Sequence, residues 1–229
     1  MTNNNIKLDN VSIDYNGKII LQNINFEFNN KGIYTLMGPN GSGKTTLLKA
    51  ISGQKKIQKG HISNIDDINI SYVPDTTSLY EYLTGFEYLI FVGKLNNINK
   101  QIINQKSVEL LEKLDLWNDK DIIINNYSNG MKQKLALASA MLIEPDILIL
   151  DEPMTGTDYT SNYVIKSFLH SYGKNKLILL STHFIDMSYE LSDFILTIKN
   201  QSFSEIINVS RTSYEEFVKT IERSLSNEK

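Results

Sequence analysis

Gly38-Pro39-Asn40-Gly41-Ser42-Gly43-Lys44-Thr45-Thr46 decides how this chain reads. The spacing G-x-x-x-x-G-K-[ST] is that of a phosphate-cradling P-loop. An apolar run from Ile33 to Met37 precedes it and predicts a buried strand, and Leu47-Leu48-Lys49-Ala50-Ile51 follows and predicts the first turns of a helix. A glycine-rich turn with an incidental lysine would not carry both flanks. The glycines let the backbone turn tightly and aim successive N–H groups at a polyphosphate. The helix start adds the positive end of its dipole. Lys44 supplies a mobile charge for the β- and γ-phosphates, the Thr45 hydroxyl is placed to ligate Mg²⁺, and Thr46 is placed toward the α-phosphate.

Outward from this loop, Ile6 to Tyr15 and Ile19 to Phe28 read as strands, with Ile24, Phe26 and Phe28 on one face and Asn16-Gly17 as the hairpin turn between them. Ile68 to Val73 reads as a strand ending at Pro74. From about residue 79 to 142 strands give way to helical periodicity, including Val108, Leu111 and Leu114. Ile147 to Leu150 and Leu177 to Leu180 are short continuous apolar runs, the mark of parallel strands covered on both faces. Phe194 to Ile198 and Phe203 to Val209 predict terminal strands. A last helix follows, capped by Thr212 or Ser213, with Phe217, Ile221 and Leu225 on one face. The pattern is an α/β P-loop core with an antiparallel β layer in front and a helical insertion.

With 229 residues the chain is long enough for a full core, as one large domain or two small ones. Its net charge of −3 argues against nucleic acid as a partner, since phosphate neutralisation needs a basic face. The absence of cysteine excludes disulfides and zinc ribbons. No apolar stretch approaches bilayer-spanning length, and Met1 to Asn5 lacks the regions of a signal peptide, so a cytoplasmic location is expected.

Two further strands end in chemistry. Asp151 and Glu152 close the Ile147–Leu150 run, and alternation along a strand predicts that their side chains divide the work. Asp151 is expected to hold Mg²⁺ through its water shell, and Glu152 to polarise an attacking water. Either would be a solvated strand end without a P-loop beside it. His183 ends the Leu177–Thr182 stretch on the same side of the sheet as the P-loop, where an imidazole reaches a γ-phosphate. His61 and His170 read as structural. Tyr127-Ser128-Asn129-Gly130-Met131-Lys132-Gln133 opens a helix to about Met141. There Ser128 is a good N-cap and Gly130 permits close backbone approach, which makes a second anion-binding helix start. One γ-phosphate leaves little room for two such termini from a single chain, so this one is expected to act on nucleotide held by another subunit.

Taken in order, these motifs resemble the nucleotide-binding domain of ABC transporters over essentially the whole chain. The resemblance implies a P-loop NTPase (RecA-like) core with an antiparallel β subdomain and an inserted α-helical subdomain. It places a single domain over 1–229, with 1–78 and 143–229 as the catalytic core and 79–142 as the helical subdomain. It puts Tyr15 against the adenine ring and Gly38 to Thr46 (Gly38, Pro39, Asn40, Gly41, Ser42, Gly43, Lys44, Thr45 and Thr46) in Walker A. Pro74-Asp75 falls at the Q-loop, Ser128 to Gln133 at the signature sequence, and Asp151 and Glu152 at Walker B and the catalytic glutamate. Gly156-Thr157-Asp158 matches the D-loop and His183 the switch histidine. ATP and Mg²⁺ are the implied cofactors. The implied partners are a membrane permease on a separate chain and a second ATPase subunit, with the chain peripheral on the inner face of the membrane.

Two positions depart from that pattern. Asp75 stands where the family usually has glutamine, a shorter and charged side chain. Tyr127-Ser128-Asn129-Gly130-Met131 replaces L-S-G-G-Q but keeps the phosphate-facing serine and second glycine. The form S-x-G-M-K-Q is similar to that of bacterial exporters, including those linked to antimicrobial-peptide export or immunity, and implies export. A regulatory or immunity switch without cargo, or an ATPase of DNA maintenance, are the competing classes. The intact Glu152 and His183 speak against the first, and the short insertion and lack of a basic stripe against the second.

Overall fold

Two left-handed residues start the architecture. Asn16 (φ 52°) and Gly17 (φ 81°) form the two-residue turn between β1 (Ile6–Tyr15) and β2 (Lys18–Phe28), the conformation that favours Asn-Gly in a hairpin. The structure, a computed structural model, describes residues 5–226 except 30, 66, 67 and 77. After β3 (Gly32–Met37) and α1 (Lys44–Ile51), β4 (Lys59–Ser63) returns to the free edge of β1 and completes a three-stranded antiparallel sheet in the order β2-β1-β4. Nothing in the sequence pattern announces β4, whose one aliphatic residue is Ile62. Its Gly60 (φ 85°) is the reason it fits, since a Cβ there would lie 2.3 Å from the Asn10 carbonyl oxygen.

The second sheet has six strands in the order β5 (Ile70–Val73), β6 (Ile147–Asp151), β7 (Leu177–Thr182), β3, β8 (Phe194–Lys199), β9 (Ser202–Asn208). The first five run parallel and β9 is antiparallel to β8. Alternation sorts the apolar runs onto two faces. Ile147, Ile149, Leu177 and Leu179 pack with β1, β2 and α1 through Leu8, Phe28, Leu47 and Leu48. Leu148, Leu150, Ile178 and Leu180 face the opposite layer.

That layer is helical: α2 (Gly85–Leu95), α3 (Lys100–Lys113), α4 (Asn129–Leu142) and α5 (Tyr159–Gly173). Leu89, Leu111 and Leu135 belong to the same apolar cluster as Leu148 and Ile178, so the insertion packs onto the sheet instead of closing its own core. The aromatic stretch from Leu79 is helical only from Gly85. Thr84 accepts the Glu87 N–H (3.2 Å) while the Glu87 carboxylate accepts the Thr84 N–H (2.9 Å), a capping box that fixes the start. Residues 79–84 run ahead of it as irregular chain, tied through the Thr84–Ile123 bridge. Two elements close the fold, α6 (Ile185–Leu191) and α7 (Tyr214–Leu225). Ser213 caps α7, and Phe217 and Ile221 seat it against Met37 and Ile195. Among the described residues no helix is long and apolar enough to cross a membrane.

Candidate nucleotide site

The parallel strands β5, β6, β7 and β3 end side by side, and each delivers one part of the predicted constellation at its carboxyl end. From β3 comes the P-loop. Gly41 (φ 79°) and Gly43 (φ 106°) take left-handed backbone, and Gly43 is the residue before the helix, which begins at Lys44, three residues ahead of the apolar signal. A Cβ on Gly43 would meet Ile20 and Leu21 at 3.0 Å, so the position demands glycine for both conformation and space. Gly38 is equally close-packed, with a Cβ reaching 2.7 Å from the Ile198 carbonyl oxygen. Lys44 is 6 % exposed, and its Nζ donates to the carbonyls of Gly38 (2.9 Å) and Pro39 (3.4 Å), with the Glu152 carboxylate 3.8 Å away. The Ser42 hydroxyl is buried in the same loop with no hydrogen-bond partner among the described residues. A loop holding a buried, folded-back ammonium and an unsatisfied hydroxyl is chemically suited to an oxyanion-rich ligand.

Asp151 ends β6 at 1 % exposure. Its Oδ1 accepts the Ser181 hydroxyl (2.5 Å), and its Oδ2 accepts the Tyr72 hydroxyl (3.0 Å). Both donors follow from register: Asp151 sits opposite Ser181 in β7, and β5 lies on the other side of β6. Burial, with the charge of Asp151 beside it, pushes the Tyr72 hydroxyl well above the ordinary tyrosine range. Neither Tyr72 nor Ser181 was legible as a functional residue. The one available signal is a hydroxyl near the end of an otherwise aliphatic strand. Tyr72→Phe removes a donor from a buried carboxylate and is expected to cost about 1–3 kcal/mol, read as a lower denaturation midpoint in urea.

Strand alternation does not separate Glu152 from Asp151. The strand stops at Asp151, and Glu152 takes a left-handed conformation (φ 48°) that turns it along the mouth of the site. Its N–H donates to the Ser181 hydroxyl at 3.0 Å. Its carboxylate lies between Lys44 and His183, 3.0 Å from His183 Nδ1, with the Thr155 hydroxyl at 3.4 Å. His183 is therefore beside the P-loop lysine as the topology predicts, and in this structure its partner is Glu152.

Tyr15, Asn40, Gly41, Gly43, Lys44, Thr45, Thr46, Asp75 and Glu152 line one cleft of 410 Å³. Tyr15 is 61 % exposed at its mouth, with the Lys55 ammonium 5.1 Å from the ring centroid. Asp75 curls back to accept the Thr76 N–H at 2.7 Å. Thr45 and Asp75 line this cleft and Asp151 ends the strand beside it, and oxygen donors of this kind suit Mg²⁺ held beside phosphates. Pro39 contributes through its carbonyl to Lys44.

The lining of this cleft includes none of Ser128, Gly130 and Asp158. They form a second cluster. Ser128 caps α4, its hydroxyl accepting the Met131 N–H at 3.2 Å. Asp158 caps α5, accepting the Ser161 N–H (2.9 Å) and hydroxyl (2.8 Å), bonds that hold its carboxyl below the usual range. Gly130 has a role here that its sequence context does not suggest. A Cβ on it would lie 2.2 Å from the Ser161 hydroxyl and 2.7 Å from Asp158 Oδ2, so the glycine lets the first turns of α4 and α5 touch. His170 donates its Nε2–H to the Glu190 carbonyl oxygen at 2.9 Å, and His61 lies in β4, both away from the cleft.

Fold and P-loop together define a nucleotide-hydrolysing P-loop protein. The family model described as ABC transporter matches residues 21–155. The chain is 31 % identical over 204 residues to an uncharacterised ABC transporter ATP-binding protein, YxlF, of Bacillus subtilis, covering 87 % of this chain and 69 % of that one. It is 32 % identical over 211 residues to the zinc import ATP-binding protein ZnuC of Wolbachia pipientis, covering 90 % and 84 %. A solved ATP-binding subunit of an ABC transporter superposes with a TM-score of 0.82 at 25 % identity, over 94 % of this chain and 98 % of the other. The chain belongs to the ABC transporter family as an ATP-binding subunit. It is an ATPase that uses ATP with Mg²⁺ and couples hydrolysis to transport.

Proposed function

We propose that this chain works as one of a pair of ATPase subunits beneath a separate membrane permease, at the inner face of the membrane, and that it drives export. The observation that carries the pairing is the separation of the two anion-binding helix starts. The P-loop lines the cleft, and the capped start of α4 at Ser128–Gly130 does not. A second subunit brings the two together, with ATP between the P-loop of one and Ser128–Gly130 of the other, and Asp158 beside the joint. Residues 1–229 act as a single domain in this reading, with 79–142 as the subdomain that carries the closing helix. Export rests on the S-N-G-M-K-Q form of residues 128–133. The zinc relative is by its name an importer.

In the chemical step each residue has a defined act. Tyr15 stacks on the adenine. Lys44 moves from the Gly38 carbonyl and Glu152 to the β- and γ-phosphates, and the N–H groups of 40–46 close around them with the Ser42 hydroxyl. Thr45, Asp151 and Asp75 are the residues that would hold Mg²⁺, which when bound offsets phosphate charge. Glu152, released from Lys44, takes a proton from water as the water oxygen attacks the γ-phosphorus. The bond to the ADP bridging oxygen breaks, and ADP and phosphate result. His183 hydrogen-bonds the γ-phosphate oxygens.

A groove of 710 Å³ formed by Ser78 to Leu83 and Phe91 is the proposed seat of a cytoplasmic helix of the permease. Tyr82 is almost fully exposed there. Glu81 in the groove wall is ion-paired at 2.9 Å with Lys132 of α4, one turn past Ser128, which links the groove to the closing helix. Light scattering tests the pairing. With Glu152→Gln and ATP–Mg²⁺ the mass is expected to double, and Ser128→Arg on the same background is expected to keep it single. A hydrolysis-deficient chain that stays monomeric with saturating nucleotide, alone and beside its permease, overturns the reading.

A further inference from the structure

α6 is a helix of seven residues that begins two positions after His183, and its N-cap, Phe184, contributes no side-chain hydrogen bond. A helix this short is not stable by itself and keeps its place through tertiary contacts. Met187 and Leu191 bury into the main apolar core, and polar contacts are added from two sides. From α5, Lys166 is ion-paired with Glu190, and His170 Nε2 lies 2.9 Å from the Glu190 carbonyl oxygen. From the segment that opens α7, the Tyr214 hydroxyl donates to the Asp186 carboxylate, in the first turn of α6. The Tyr189 hydroxyl donates to the Thr212 carbonyl at 3.1 Å. The Tyr189 ring packs at 5.2 Å on Tyr214 and 5.1 Å on Phe217. The contacts on the α5 side reach the end of α6, and the Tyr214–Asp186 bond holds its beginning, three residues from the histidine.

The His183 side chain is 45 % exposed and has two close neighbours, the Glu152 carboxylate at 3.0 Å and the Phe184 ring at 4.1 Å. If Glu152 turns to water during hydrolysis, the backbone turn leading into α6 is what remains to aim the imidazole. We propose that Tyr214 is a positioning residue for the ATPase reaction, and that through Asp186 it holds the first turn of α6, and with it His183, in register with the γ-phosphate. The inference rests on the γ-phosphate role given to His183 above. The tether acts on the aim of one γ-phosphate ligand, so Tyr214 is expected to serve turnover with little effect on nucleotide affinity.

The test uses the full chain with Tyr214→Phe, which keeps the ring packing and removes one hydroxyl. A lost bond to a carboxylate that is partly exposed predicts a kcat lower by about three- to tenfold. ATP affinity, from a fluorescent-nucleotide titration, is expected to stay within twofold, and the imidazole resonances of His183 in the nucleotide-free chain are expected to move or broaden. Asp186→Asn keeps an acceptor for the Tyr214 hydroxyl and is expected to hold kcat within twofold. An unchanged kcat with unchanged His183 resonances overturns the proposal, as does a loss of kcat matched by an equal loss of ATP affinity. His183→Ala, run alongside, separates the two readings. If it leaves turnover intact, the phosphate role of His183 fails, while the resonance shift in Tyr214→Phe still decides whether the tether positions the ring.

Discussion

Glu152→Gln is expected to keep ATP bound and to lower steady-state turnover by about 10²–10⁴-fold, the usual effect of removing a general base. The substitution preserves the shape of the side chain, so it fits the space between Lys44 and His183, with its amide oxygen toward one of them and its NH2 toward the other. What it loses is the ability to take a proton. The carboxylate is also the negative charge nearest the Lys44 ammonium, at 3.8 Å. In the nucleotide-free chain that charge competes with phosphate for the lysine, so its removal favours binding or leaves it unchanged. Phosphate release and nucleotide titration on the same preparation separate the two effects. Turnover within tenfold of the parent enzyme would remove Glu152 from the chemical step.

The left-handed backbone at Glu152 bears on this result. A non-glycine residue with φ near 48° costs on the order of 1–2 kcal/mol, and here it brings the carboxylate to the lysine and histidine from a strand that ends one residue earlier. The sequence shows two acids in a row after an aliphatic strand, and simple alternation would send them apart. The turn after Asp151 is held by the Ser181 hydroxyl, which accepts from the Glu152 N–H and donates to Asp151. Ser181 is 29 residues away in the chain. It becomes a neighbour through the β6–β7 register, and no local pattern can report that.

The same physics divides what was legible from what was not. The P-loop, the Asn16-Gly17 hairpin, the parallel aliphatic strands and the Ser128 and Ser213 caps are local signals, written within a few residues of where they act. The site's strand ends were legible too, because parallel strands in one sheet deliver their carboxyl ends to one side. Tyr72 was not legible, since its hydroxyl meets Asp151 only after β5 pairs with β6. β4 was missed because it is a short edge strand with little apolar content, joined to β1 across 50 residues of chain by the close approach that Gly60 permits. The helical periodicity read from about residue 79 becomes helix only at Gly85, for a local reason that outranks periodicity. Thr84 and Glu87 form a start signal, and the aromatic residues before it face a groove. Gly130 carries two demands at once, a close approach by α5 in its own chain and, in the proposed pair, by phosphate from the other.

Lys44→Ala is expected to weaken ATP binding by about 10²–10³-fold, equivalent to ~3–4 kcal/mol for truncating one member of a buried, hydrogen-bonded charge pair. The ammonium is 6 % exposed and lies on carbonyls of its own loop. Its desolvation is thus already met before nucleotide arrives, and the exchange of carbonyl and Glu152 contacts for phosphate oxygens adds attraction at little further cost. Alanine removes that attraction and leaves the Glu152 carboxylate facing the phosphates without the lysine beside it. The loss should therefore exceed what a neutral hydrogen bond supplies, and Lys44→Ala combined with Glu152→Gln should recover part of it, because the second change withdraws the repelling carboxylate. A fluorescent-nucleotide titration of the single and double variants gives the coupling directly. Parent-like affinity in Lys44→Ala would exclude the loop at 38–46 as the phosphate site, and strictly additive losses would show that Lys44 and Glu152 act on the nucleotide independently.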